Sequence, residues 1–233
     1  MSRVTALSRL TAPALLIPAL AWVALPSGAA AQESSPALEE AARRYREVRA
    51  MCADFEQVIE MRLLRRTIST AGRICQQRPN LFSMRFTDGN MVIADGEYVW
   101  AYYPTIDEEQ VNRRPAASSP GGEDFIREFL EDPGTKYDAE EGGIEVVEGR
   151  DCRVVDLTPR EGASFRRARL WVDVRSHVIR RLETHESGER IRTLTLSDID
   201  LSSMPDPAVF VFEVPEGARV VGPRGPGIRP VLR

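Results

Sequence analysis

The sequence is poor in three residue types that carry much of protein chemistry. Its 233 residues include three cysteines and two histidines, and of the 31 basic residues Lys136 is the one lysine. The formal net charge is −4, which does not favour binding to nucleic acid. A phosphate-binding surface and biased codon usage are both explanations for arginine in place of lysine, and the acidic balance favours codon usage.

The sequence also lacks the motifs of the common enzyme classes. It contains no Gly-x-Ser-x-Gly, no Gly-rich phosphate-binding loop and no His-Glu-x-x-His. His177 and His185 both fall in predicted turns, without a nucleophile or further metal ligands at a suitable spacing. The acidic clusters at 107–109 and 140–141 lie in predicted polar loops and are typical of solvated surface. We therefore expect no enzyme activity, no cofactor and no metal site.

No apolar run outside the N-terminus approaches the ~20 residues of a membrane-spanning helix. The N-terminus itself has two early arginines, an apolar stretch at 10–25 that contains two prolines, and then Ala29-Ala30-Ala31. This order predicts a secretory signal peptide, residues 1–31, that is cleaved near Ala31. An uncleaved anchor helix is the alternative. Since no cysteine follows Ala31 directly, we expect a product without a lipid anchor.

Export would permit disulfide bonds. With three cysteines, at least one is unpaired or pairs between chains. Cys52 and Cys75 are the closest two in sequence, and they would form a bridge if their segments make one hairpin. Three isolated thiols, including Cys152, are the alternative. None of the three lies in a Cys-x-x-Cys motif or beside a histidine, so redox catalysis and zinc binding are disfavoured.

Hydrophobic periodicity predicts one helix followed by two series of short antiparallel strands. The helix starts at Ser35-Pro36 and its apolar spacing continues to Cys52. A polar loop at 104–122 and a short helix that ends at Pro133-Gly134 separate the two series. The predicted strands are 55–61, 72–77, 81–86, 91–94 and 98–103, and then 144–147, 152–157, 165–174, 178–184, 190–197 and 209–214. The arginine-, proline- and glycine-rich residues 219–233 predict a mobile tail.

Large apolar side chains recur on alternating positions of the first strand series. They are Phe55, Phe82, Met84, Phe86, Trp100 and Tyr102. A sheet with one apolar face must be covered, and two helical segments are visible to cover it. The pattern fits an ordinary core of helices on a sheet, and it equally fits a curved sheet whose concave face is a cavity with a movable helical cover.

The stretch from Phe55 to Pro104 resembles the LolA family of periplasmic lipoprotein carriers. The resemblance lies in Phe55-x-Gln57, Gly72, Arg78-Pro79-Asn80-Leu81-Phe82 and Ala94-Asp95-Gly96-x-x-x-Trp100-x-Tyr102-x-Pro104. Later segments agree in the same order: Leu157-x-Pro159, Leu170-Trp171-Val172-Asp173 and Phe210-x-Phe212-x-x-Pro215-x-Gly217. The similarity covers about residues 38–221. Cys52 and Cys75 are not part of the family pattern.

The resemblance implies an α+β fold, an incomplete (half-open) antiparallel β-barrel with a helical lid over an apolar cavity. Residues 32–218 would form the carrier domain. Arg78 matches the family arginine that latches the lid, and Phe82 matches an aromatic at the mouth. The six apolar residues named above would line the acyl-chain cavity.

The resemblance also implies partners and a location. The expected partners are acylated lipoproteins, a LolCDE-type ABC transporter of the inner membrane and an outer-membrane acceptor. We expect a periplasmic monomer that carries lipoproteins between the two membranes. A periplasmic lipid-binding sensor or regulatory module with the same fold is the alternative.

Overall fold

The computed structural model describes residues 35–116 and 125–223. Within them the strands are β1 (Ala50–Met61), β2 (Arg66–Gln77), β3 (Leu81–Phe86), β4 (Met91–Asp95), β5 (Tyr98–Tyr102), β6 (Gln110–Pro115), β7 (Tyr137–Val147), β8 (Arg150–Pro159), β9 (Phe165–Asp173), β10 (Ile179–Glu186), β11 (Arg190–Asp200) and β12 (Arg219–Val221). The α-helices are α1 (Pro36–Glu47), α2 (Phe125–Leu130) and α3 (Pro133–Lys136). The predicted signal peptide, residues 117–124 and the part of the predicted tail at 224–233 lie outside the described residues.

All twelve strands belong to one open sheet. Their order is β12-β6-β5-β4-β3-β2-β1-β11-β10-β9-β8-β7, and every pair is antiparallel except β12 with β6. The sheet does not close on itself, since β12 and β7 remain edges. The result is the half-open α+β barrel that the resemblance implies. Among the described residues, no helix combines the length and the apolar character that crossing a bilayer requires.

The helices cover the concave face of the sheet. Ser35 caps α1 by accepting a hydrogen bond from the amide of Leu38, and proline occupies the first turn. The apolar stripe of α1 then packs on the sheet as part of a large buried cluster that also takes in α2. Gly72 of β2 is required in this cluster, because a Cβ there would lie 2.0 Å from the carbonyl oxygen of Arg85 and 2.9 Å from the Phe55 ring.

The convex face is covered in part by the segment that follows β11. A 3-10 helix, Pro207–Phe210, buries Phe210 against Cys52 and Cys75. The guanidinium of Arg85 donates to the carbonyls of residues 209 and 211 at 3.3 and 3.2 Å, which fixes the segment to β3. We call residues 207–218 the strap.

Several predictions from the sequence are wrong at the level of elements. Glu140 and Glu141, assigned to a polar loop, lie in β7, and His185, assigned to a turn, lies in β10. The first helix ends at Glu47 and Cys52 lies in β1. Residues 110–115, assigned to the polar loop, form β6, and 209–214 are the 3-10 helix and irregular strap instead of a strand. The tail assigned to 219–233 starts as strand β12, which pairs with β6.

Candidate functional site: a covered apolar face with two cavities

Four of the six predicted apolar residues lie together on the concave face. Phe55, Phe82, Met84 and Phe86 all contribute to the large buried cluster or pack against it. Phe55 and Phe86 meet edge to face with ring centroids 5.2 Å apart. Phe82 is 3% exposed and lies beneath the cover, so it is an interior residue and does not stand at a mouth.

The assignment of the other two aromatics to the cavity is wrong. On β5 it is Val99 and Ala101 that join the concave cluster, and strand alternation therefore directs Trp100 and Tyr102 to the convex face. There both contact Phe212 of the strap, with Trp100 stacked on it at 5.2 Å and Tyr102 edge-on at 6.3 Å. The indole N–H of Trp100 donates to Asp95. These aromatics hold the strap to the sheet.

Helical side chains occupy the centre of the concave face. Leu38, Ala41 and Ala42 come from α1, and Phe129 and Leu130 from α2. All five are less than 5% exposed. The middle of the face is thus an ordinary core of helices on a sheet, and space remains at either side of it. That the cover moves stays a prediction.

Two cavities flank this filled centre. The first, of about 40 Å³, lies beneath the C-terminal end of α1 between Tyr45, Met51 and Ile179. The second, of about 450 Å³, lies between α2 and the strands β1, β3, β10 and β11. Its volume falls within the usual range of small-molecule pockets. We call the second one the large cavity.

The large cavity has an apolar wall and a polar margin. Its wall is formed by Met84, Phe129, Phe165, Leu182 and Leu194. At the margin Arg192 donates to Gln57 at 3.3 Å and to Glu186 at 3.1 Å. Gln57 in turn donates to the hydroxyl of Thr70 at 3.3 Å, so these buried or half-buried polar groups are hydrogen-bonded to one another.

An aromatic cluster fixes α2 beside the large cavity. The rings of Phe129 and Tyr137 stack at 5.7 Å, and Phe165 contacts both. The hydroxyl of Tyr137 donates to a carboxylate oxygen of Glu128 at 2.7 Å. Burial, together with this neighbouring carboxylate, raises the pKa of Tyr137 far above its ordinary value. The phenol is therefore neutral at any physiological pH and serves as a donor.

Arg78 connects the sheet to the end of the cover. It stands in the turn between β2 and β3, and its guanidinium donates to the main-chain carbonyl of Tyr45 in the last turn of α1 at 2.9 Å. The same group lies over the Tyr45 ring, 4.3 Å from the centroid. The side chain of Gln76 also donates to the Tyr45 hydroxyl. An arginine at a helix C-terminus additionally interacts favourably with the helix dipole.

The opposite end of α1 is held as well. Glu141 of β7 accepts hydrogen bonds from the Ser35 hydroxyl at 3.0 Å and from the amide of Ala37 at 2.7 Å. A carboxylate at a helix N-terminus is electrostatically favourable. Helix α1 thus has one polar tether at each end, one from the β2–β3 turn and one from β7, and these lie far apart in the sheet order.

The cysteines separate into a bridge and a buried thiol. Cys52 and Cys75 face each other on β1 and β2 and form a disulfide on the convex face, beneath Phe210. Cys152 is free and fully buried. Burial, and secondarily the charge of Asp173, raises the pKa of the Cys152 thiol to about 11. Neither arrangement is that of a reactive cysteine.

Sequence reasoning missed several residues of this site. Gln57 could have been found, because alternation on β1 places it on the same face as Phe55. Phe165 and Tyr137 gave no comparable signal, since their partner Phe129 is distant in sequence and the contacts depend on how α2 folds back. Phe129 lies in the short helix that the sequence predicts before Pro133-Gly134.

A sheet that is open on one side, covered by helices and left with a cavity that has an apolar wall defines a class of binding fold. Within that class, the family model described as "Outer membrane lipoprotein carrier protein LolA" matches residues 46–213. The chain therefore belongs to the LolA family.

Individual relatives are distant. The chain is 25% identical over 210 residues to an outer-membrane lipoprotein carrier protein of Chromohalobacter salexigens, which covers 86% of this chain and 93% of that protein. It is also 25% identical over 205 residues to the protein of that name from Pectobacterium carotovorum, with 84% and 95% covered. Among solved structures, an uncharacterized conserved protein from Thermus thermophilus matches with a TM-score of 0.52 at 13% identity, covering 79% of this chain and 96% of that one.

Proposed function

We propose that this protein is a periplasmic carrier that shields the acyl chains of lipoproteins and moves them from the inner membrane to the outer membrane. Its partners are then acylated lipoproteins, a LolCDE-type transporter that delivers them and an outer-membrane acceptor that receives them. The observation that carries the proposal is the covered concave face: an apolar surface under helices that are tethered by Arg78 at one end and Glu141 at the other. Membership of the family supports it.

Such a carrier requires an apolar surface that shields the acyl chains from water and that the acyl chains can leave again. Each buried CH₂ group of an acyl chain is worth about 0.8 kcal/mol, so a chain does not leave a membrane at a useful rate without an apolar substitute. The concave face offers such an apolar substitute once α1 and α2 move aside, and the large cavity enlarges the apolar surface. No chemical step is required, and the chain acts as a binding protein.

Extraction of a lipoprotein from inner-membrane vesicles tests the proposal. The exported chain is incubated with vesicles that contain a labelled lipoprotein and the transporter, and label is measured in the supernatant. We expect Phe86→Gln to reduce the soluble label, because this half-buried ring lies on the concave face. Phe212→Gln is the matched control, since its half-buried ring lies on the convex face.

Two results would contradict the proposal. Wild-type protein that leaves all lipoprotein in the vesicles would overturn it outright, and uptake of free lipid by the same protein would then favour the sensor. Equal losses for Phe86→Gln and Phe212→Gln would show that the concave face is not the binding surface.

A further inference from the structure

The tip of the hairpin between β1 and β2 exposes two apolar side chains to solvent. It is a short 3-10 helix, Arg62–Leu64, in which Leu63 is 67% and Leu64 71% exposed. Two adjacent leucines at this exposure lose the hydrophobic stabilisation that burial would give them. A contact with another apolar phase would recover it. We call residues 62–66 the hairpin tip.

The surroundings of the hairpin tip are basic although the chain is acidic. The segments 60–66 and 186–192, which the β1–β11 pairing and the contact between their turns bring together, contain five arginines and three glutamates. Arg62 pairs with Glu60, and Arg190 and Arg192 both pair with Glu186. In the described part of the chain Arg65 and Arg66 stand without an acidic partner, so their charge is available.

We propose that the hairpin tip docks the protein on an anionic lipid bilayer, with Leu63 and Leu64 in the interface and Arg65 and Arg66 on the lipid phosphates. Exposed leucines bracketed by arginines match such a surface in both hydrophobicity and charge. An acidic protein partner would satisfy the arginines, but it offers no general reason for two leucines at the extreme end of a hairpin.

The hairpin tip lies at the end of the strands that form the margin of the large cavity. Gln57, Glu186 and Arg192 stand at the margin of the large cavity, and the strands that carry them run on to the tip and its neighbouring turn. A bilayer in contact with the tip would therefore face the end of the concave face at which the large cavity lies. Docking there shortens the distance between bilayer and cavity over which an acyl chain is exposed to water.

Co-sedimentation with vesicles tests the proposal. The exported chain, without cargo, is mixed with vesicles of equal parts phosphatidylglycerol and phosphatidylethanolamine, and separately with phosphatidylcholine vesicles. We expect binding to the anionic vesicles, weakened by added salt because exposed charges are screened. Arg65→Gln with Arg66→Gln should lower the partition coefficient about fivefold for each arginine removed.

The leucines and a matched control complete the test. Leu63→Gln with Leu64→Gln leaves the charge unchanged and should lower binding about tenfold or more. Ile106→Gln should bind as wild type does, because Ile106 is 82% exposed but is followed by the acidic residues 107–109. All of these side chains are exposed, so circular dichroism should show unchanged folding.

Two outcomes would overturn the inference: no binding of the wild-type chain to anionic vesicles, and full binding by the leucine variant. If that fully binding variant also no longer delivers to a protein acceptor, the tip contacts a protein instead of a bilayer. The vesicle assay contains no lipoprotein. A chain that binds vesicles through the tip but extracts no lipoprotein would refute the proposed carrier function and leave the docking intact.

Discussion

Removing the guanidinium of Arg78 should loosen the cover without unfolding the sheet. Arg78→Leu deletes the hydrogen bond to the Tyr45 carbonyl and the contact with the Tyr45 ring. Arg78 is exposed, so the hydrogen bond is worth about 1 kcal/mol and the cation–π contact about 0.5–1 kcal/mol. Together they amount to about 1.5–2 kcal/mol. At 1.4 kcal/mol for each factor of ten, the population with α1 released should rise about 10- to 30-fold.

Hydrogen exchange of the α1 amides measures this opening directly. In Arg78→Leu the exchange of these amides should accelerate by the same 10- to 30-fold factor, while central strands such as β1 keep their protection. Arg73→Leu is the control: it removes an arginine five residues earlier, in β2, where Arg73 pairs with Asp54 on the convex face at 2.6 Å. Arg78→Lys keeps the charge without the planar stack, so its α1 exchange rate should lie between those of Arg78→Leu and Arg73→Leu.

The functional consequence follows from the same equilibrium. A tether that forms only in the closed state raises the free energy of opening, which weakens cargo binding and favours release. Under the proposed function, Arg78→Leu should therefore hold lipoprotein more tightly and transfer it more slowly. Unchanged α1 exchange, or equal acceleration in Arg73→Leu, would refute the reasoning that Arg78 acts as a latch.

Three further predictions concern the cysteines and Asp173. Replacing Cys52 and Cys75 together with alanine should lower the free energy of unfolding by about 3 kcal/mol, because the bridge closes a loop set by a separation of 23 residues. Urea titration measures this free energy. Cys152 should resist iodoacetamide in the folded protein at pH 8, where a thiol of pKa about 11 is ionised in about one molecule in a thousand; fast labelling would contradict its burial. Although burial opposes it, hydrogen bonds from backbone amides and the Arg180 guanidinium keep the pKa of Asp173 below its usual value. Its contribution to stability is therefore complete above the unfolded pKa of about 4 and is lost as the pH falls through the lower folded value, so Asp173→Asn should reduce the loss of stability in acid.

Local turn chemistry explains why the central strands were predictable. The strands predicted at 81–86, 91–94 and 98–103 differ from β3, β4 and β5 by at most one residue. The turns between them are fixed by their own side chains: Asp88 accepts from the amide of Asn90, and Asp95 from the amides of residues 97 and 98. No distant contact is needed to place these hairpins.

Burial on both faces explains the error at the first helix. In β1 residues 50–53 are all buried, because α1 covers one face and the strap lies over the other. Such a run has no alternation and cannot be distinguished from a helix by periodicity. Cys52 therefore extended the helical spacing by coincidence.

The error at Trp100 and Tyr102 has a different cause. Alternation divides the side chains of β5 into two sets, but it does not say which set faces the concave side. The larger aromatics were assigned there, whereas the strap supplies Phe212 to cover them on the other side.

The tether at Arg78 could not be found from the pattern of residues. The hydrogen bond from Arg78 to Tyr45 joins residues 33 apart in sequence, so only the resemblance could suggest it.

The filled centre of the concave face has a consequence for affinity under the proposed function. An acyl chain that enters must displace Leu38, Phe129 and their neighbours, which are already buried against the sheet. It therefore replaces one set of apolar contacts with another, and its net gain is smaller than its transfer from water would give. The displaced helices re-expose apolar surface, and their return to the sheet favours release. A carrier with a permanently empty cavity would bind more tightly and would lack this driving force for transfer to an acceptor.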